Sequence, residues 1–189
     1  MKMTNKYIIT VFAMMVALAS VFAGNPDRQG EAGAAELLLN PWARSAGLHG
    51  TNTSTITGIE SMRLNIAGLS RITGKEFVLA NTRLYSGSDT GINAFGFGNK
   101  IGENGAFGIS LMSMDFGDIP VTTTDAPEGT GGVFSPSFFN IGLGYSYMYE
   151  NKISVGLLLR AISESTSDVS ALGFAIDAGV QYVLSLIHI

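Results

Sequence analysis

From Phe77 onward the apolar positions of the chain recur at every second residue. The clearest run is 139–149, FNIGLGYSYMY. One parity carries Phe139, Ile141, Leu143, Tyr145, Tyr147 and Tyr149. The other carries Asn140, Gly142, Gly144, Ser146 and Met148. A helix would scatter these residues around its circumference, whereas a strand sorts them onto two faces. Leu172, Phe174, Ile176, Ala178, Val180 and Tyr182 likewise oppose Gly173, Ala175, Asp177, Gly179 and Gln181. Ile153, Val155, Leu157, Leu159 and Ala161 oppose Ser154, Gly156, Leu158, Arg160 and Ile162. Phe107, Ile109 and Leu111 oppose Ala106, Gly108 and Ser110. The runs 77–85 and 92–98 alternate less cleanly. About six antiparallel strands are predicted, linked through 86–91, 99–105, 117–136, 150–152 and 163–170. The fourth link is short, and the third is rich in Thr, Gly and Pro, as a surface loop is.

Two architectures produce such alternation. A soluble β-sandwich buries the apolar face and turns charged residues to water. A transmembrane β-barrel turns the apolar face to lipid and encloses a small or polar one. Here the second face is mostly Gly, Ser, Ala and Asn, with few charges, and tyrosines gather at the strand ends near Glu150-Asn151-Lys152. Both features favour the barrel. The expected fold class is therefore all-β: an incomplete antiparallel transmembrane barrel over 73–183, with the long loop outside and the turn at 150–152 in the periplasm. Residues 24–72 have mixed periodicity and several glycine breaks. They are expected to form an irregular plug-like or periplasmic segment, a strand followed by short helical turns.

The first 23 residues read as a secretory signal peptide. Lys2 and Lys6 precede an uncharged apolar stretch, and Val21-Phe22-Ala23 offers small residues for cleavage before Gly24. No cysteine follows, so a lipoprotein anchor is excluded. The last six residues, LSLIHI (184–189), match one frame of a sequencing adapter and are expected to be an artefact closing a truncated chain. Six strands leave two unpaired edges, and barrels of this kind need at least about eight strands.

Composition narrows the function classes. The 189 residues carry a formal net charge of −4, which becomes −6 once the two leader lysines are removed. Only 14% are charged, and 24 are glycine. A disordered chain would be more charged, and a non-specific nucleic-acid binder would be basic. Absent cysteine excludes thiolate metal sites and thiol nucleophiles. Two histidines, His49 and His188, are too few for a multi-histidine metal site. Asp115-Phe116-Gly117 lacks every companion motif of a kinase. The stretch 96–102, GFGNKIG, has one residue too many for a dinucleotide fingerprint and precedes a hairpin. His49 has no Gly-x-Ser-x-Gly elbow to serve, and Asn52-Thr53-Ser54 is a sequon short enough to arise by chance. No catalytic residue, metal site or cofactor is implied. By parity, Asn140, Arg160, Asp177 and Gln181 face the lumen as candidate binding residues, or pair with one another to fill it.

The stretch 40–51, NPWARSAGLHGT, and the stretch 58–85, GIESMRLNIAGLSRITGKEFVLANTRLY, resemble the N-terminal region of the PorV/PorQ family. These are outer-membrane barrels of Bacteroidetes related to the FadL-like transporters of hydrophobic compounds. Pro41, Ala43, Arg44, Gly47 and Gly50 match the family's first motif, and Asn65, Ala67, Gly68 and Leu69 its second. Ile66 stands where the family usually has Pro, and Leu48 where it often has Met. The resemblance implies a barrel of about fourteen strands when complete. It also implies an outer-membrane location and a non-enzymatic role in type IX secretion or surface attachment, with translocon or attachment proteins as partners. The FadL-like branch implies the alternative, a channel for fatty acids or other hydrophobic molecules.

Overall fold

The computed structural model describes residues 33–85, 87–150, 152–167 and 169–184. The predicted signal peptide and the adapter-like residues 185–189 lie outside the described residues. Six strands form one antiparallel sheet: β1 (Lys75–Arg83), β2 (Gly91–Ile101), β3 (Gly105–Asp115), β6 (Ser137–Tyr149), β7 (Ile153–Thr166) and β8 (Val169–Tyr182). They pair in that order, and the sheet is not closed, so β1 and β8 are its edges. The long β3–β6 connection carries a small hairpin, β4 (Ile119–Pro120) with β5 (Val133–Phe134). No described helix is long and apolar enough to cross a membrane.

Several strands run further than their alternation suggested. β2 extends to Ile101, leaving a tight turn at 102–104 where Gly102 adopts φ 60°. β7 and β8 pair through Thr166 and Val169, so the expected link over 163–170 shrinks to residues 167–168. Backbone pairing continues through Ser163, Glu164 and Ser165 although their side chains are polar, because ladder hydrogen bonds do not depend on apolar side chains.

The register aligns side chains into rows. On one face, the outer one, Phe77, Phe97, Ile109, Leu143, Leu159 and Ile176 stand side by side across all six strands. So do Leu79, Phe95, Leu111, Ile141, Ala161 and Phe174. Two steps further along the strands, Arg83, Gly91, Asp115, Ser137, Ser165 and Ser170 form a row with no large apolar member. Phe77 and Phe97 stack with ring centroids 4.7 Å apart, and Phe107 meets Phe97 edge-on at 5.9 Å. Such cross-strand aromatic pairs stabilise a sheet by about 0.5–1.5 kcal/mol each. No described segment covers this face: Phe77, Leu79, Phe174 and Ile176 are each more than 65% exposed.

The other, inner face is covered by residues 34–72. Residues 24–32 of the expected plug-like stretch lie outside the described residues, and this segment contains no strand. It consists of two 3-10 turns, η1 (Ala35–Leu38) and η2 (Ile66–Arg71), and two short helices, α1 (Ala43–Gly47) and α2 (Ser61–Leu64). Trp42, Ile59, Met62, Ile66, Leu69 and Ile72 bury themselves against Ala94, Ala106 and Leu158. Glycine makes this possible. Gly98, Gly108 and Gly144 lie side by side across β2, β3 and β6, and Gly156 lies beside Gly179. A Cβ on Gly96 would stand 2.1 Å from Ile59, one on Gly144 2.6 Å from Ile66, and one on Gly156 3.0 Å from the Ile66 backbone. The sheet omits side chains where the segment's own side chains, and at Gly156 its backbone, must approach.

The inner face is not uniformly small or polar, as the alternation had suggested. Toward the long-loop end, Ile92, Met112, Met114, Phe138 and Ile162 form a second apolar cluster, packed against Leu37, Leu39, Leu84 and Phe116.

Gly96→Val should therefore cost about 1–3 kcal/mol through overpacking. Gly173→Val, at an inner-face position with nothing within 4 Å of the added Cβ, should stay within about 0.5 kcal/mol. Denaturant unfolding of the two variants side by side measures both.

Candidate functional site

The inner-face polar residues reach the carbonyls of the covering segment. Short helices leave their last carbonyls without internal partners, and several of these are met from the sheet. The Arg160 guanidinium on β7 donates through Nη2 to the Met62 carbonyl at 2.8 Å. Ser146 Oγ on β6 donates to the Ala67 carbonyl at 2.9 Å, and Lys100 Nζ on β2 to that of Ser70 at 2.6 Å. Gln181 Nε2 on β8 donates to the Ile56 carbonyl at 2.9 Å. In return, Asn65 Nδ2 donates to the Val180 carbonyl at 3.1 Å. Five polar side chains thus pin one segment to four strands of the sheet, β2, β6, β7 and β8.

Of the four residues that parity placed together, Arg160 and Asp177 form an ion pair through Arg160 Nε. Arg160 is 8% exposed, whereas the Asp177 side chain is about half exposed. Gln181 stands apart from this pair and ties down residue 56. Asn140 is buried, and its Oδ1 has no hydrogen-bond partner among the described residues.

The residue that parity could not supply is Arg63. It comes from α2, and its Nε donates to the Leu39 carbonyl at 3.0 Å. Burial pushes its guanidinium below the ordinary value, the nearby Arg160 charge adds to that, and Asp177 opposes it. Arginine nonetheless stays protonated in proteins. Arg63, Arg160 and Asp177 line a cavity of about 460 Å³ with Leu37, Leu158 and Ala175. Its one sequence-level signal is that Arg63 is the sole charge between Glu60 and Arg71.

The residues of the second motif serve this docking. Asn65 accepts from the Ala67 amide at 3.2 Å and caps η2. Ala67 and Leu69 are fully buried. A Cβ on Gly68 would stand 2.1 Å from the Ile56 carbonyl oxygen. Pro41 is buried ahead of α1, whereas Ala43, Arg44 and Gly47 on α1 are exposed. Gly50, at φ 71°, lets the chain turn after α1.

The remaining sequence candidates take structural positions. His49 is exposed in a turn at φ 52°. Asp115 ends β3 and accepts from the Gly117 amide at 2.9 Å, with Gly117 at φ 77°. Gly96 and Gly98 lie within β2 under the covering segment. Residues 52–54 lie in a turn. Among the described residues, no three His, Asp or Glu side chains gather to hold a metal ion.

Fold and site together define an antiparallel all-β protein whose sheet, among the described residues, is covered on one face. No family model matches the chain, and no curated protein is significantly similar to it.

Arg160→Ala would strand the Met62 carbonyl and the Asp177 carboxylate. Its expected cost is about 2–3 kcal/mol, held below that of a fully buried pair by the exposure of Asp177. Asn140→Leu removes an acceptor that has no protein partner and should change stability by less than about 1 kcal/mol. Equilibrium unfolding of each variant measures the contrast.

Proposed function

We propose that the sheet is a sector of an outer-membrane β-barrel wall and that residues 34–72 lie inside the bore. The observation that carries this reading is the pair of unbroken apolar rows crossing all six strands on the uncovered face. Soluble monomers rarely expose apolar patches larger than a few hundred Å². The dimensions agree with a bilayer. On β6 the outer apolar positions run from Phe139 to Tyr149. Ten steps at ~3.4 Å make roughly 34 Å, or roughly 26 Å along the normal at a tilt of ~40°. The lipid-facing band of such barrels is ~25 Å tall. Tyr145, Tyr147, Tyr149 and Tyr182 gather toward the short-turn end, where an aromatic girdle would meet headgroups.

The covering segment sets a minimum bore. Six strands spaced ~4.8 Å apart and tilted ~40° would close to a diameter of only ~12 Å. A layer packed ~10 Å from the wall on each side needs about 20 Å, hence about ten strands or more. In this reading the further strands join at β1 and β8, since open edges are not tolerated in hydrocarbon.

Within that setting, the resemblance at 40–51 and 58–85 supports a non-enzymatic role of the PorV/PorQ kind, in type IX secretion or surface attachment of exported proteins. A deletion strain should fail to export or anchor its surface proteins; normal anchoring would reject this role. The second reading, a FadL-like channel for hydrophobic molecules, draws support from the inner-face cluster of Ile92, Met112, Met114, Phe138 and Ile162. It expects impaired uptake of long-chain compounds in the same strain, with anchoring intact.

Leu159→Lys places a charge in the middle of the outer band and should cost about 2–4 kcal/mol of membrane folding. Ser163→Lys, nearer the polar row, should cost less than about 1 kcal/mol. Folding yields into lipid vesicles distinguish the two; equal yields would reject the lipid-facing assignment.

A further inference from the structure

The cavity beneath α2 holds two guanidinium groups and one carboxylate. Arg63 comes from the covering segment and Arg160 from β7, and both also border a second cleft beside Asn140. Asp177 is the sole carboxylate among the described residues lining either space. It pairs with Arg160 Nε, while Nη2 of Arg160 is held by the Met62 carbonyl and Nε of Arg63 by the Leu39 carbonyl. Among the described residues, Nη1 of Arg160 and both terminal nitrogens of Arg63 have no hydrogen-bond acceptor. Two guanidinium charges therefore face a single, half-exposed carboxylate across this cavity. Buried charges are tolerated when paired and hydrogen-bonded. Like charges on two docked surfaces oppose the docking.

We propose that the space between Arg63 and Arg160 binds a compact oxyanion, a carboxylate or a phosphate, and that this anion latches the covering segment to the sheet. Guanidinium forks match the planar oxygen pairs of both groups. The remaining lining, including Leu37, Leu158 and Ala175, lowers the local dielectric and strengthens the attraction. Occupancy would offset the repulsion between the two arginines and hold α2, with Met62, on the glycine stripe. Because Arg63 also binds the Leu39 carbonyl, the latch extends to the strap that covers the second apolar cluster.

The chain's single tryptophan is the reporter. Trp42 is 3% exposed, and its ring edge lies 3.3 Å from where a Gly96 Cβ would be. Its emission should shift to longer wavelength when the covering segment leaves the sheet. The full chain, folded in detergent micelles, is heated in sodium phosphate, sodium acetate or sodium chloride at matched ionic strength. Phosphate or acetate at roughly ten times its dissociation constant should raise the Trp42 midpoint by about 3–6 °C over chloride. Arg63→Gln should abolish that increment, and Arg63→Lys, which keeps the charge, should retain part of it. If Arg63→Gln does not fold, the Arg63→Lys comparison decides: an increment equal to that of the unaltered chain overturns the specific two-arginine fork. Equal midpoints in all three salts, or an undiminished increment in Arg63→Gln, overturn the proposal outright.

Discussion

The structure depends on one close approach, the seating of the backbone around Ile66 on a stripe of sheet glycines. At Gly156 the two main chains are so near that even a methyl group would touch the Ile66 carbonyl. Everything on the inner face follows from that distance. Around this approach Arg160, Ser146, Lys100 and Gln181 reach the carbonyls of the covering segment directly. The carbonyls left over at the ends of short helical turns become the attachment points. Arg160 is buried because Met62 lies over it, and the cavity beside it exists because α2 stands there.

The two faces of one sheet meet opposite demands. The inner face is specified by what is missing from it, since Gly96, Gly98, Gly108 and Gly144 leave room for side chains of the segment above. The outer face is specified by register. Alternation within a strand makes it apolar, but only the alignment of six strands turns separate stripes into a band with a polar border. A slip of one residue in any strand would turn its apolar set inward, onto the covering segment. The band and the covered face therefore enforce the same pairing.

The sheet was legible in the sequence because period-two alternation is local information. Phe139 to Tyr149 sorts into two faces without knowledge of any neighbour, and the structure keeps that sorting in β6, β7 and β8. Strand ends were less legible: Ser163 to Thr166 carry no alternation, and only pairing with β8 shows that they belong to β7. The inner apolar cluster escaped notice because Ile92, Met112, Met114 and Phe138 come from three different strands, and each alone is a minor exception to its strand's pattern.

The sequence by itself determined which residues share a face, where the glycines fall, and that Asn140, Arg160, Asp177 and Gln181 point the same way. Those properties depend on the fixed geometry of an extended backbone. Only the tertiary structure decided that Arg63 joins Arg160 and Asp177, that Gln181 holds a distant carbonyl instead, and that residues 34–72 lie over the glycines. Arg63 and Arg160 are brought together by packing between segments far apart in the chain, and no local periodicity encodes a contact of that kind.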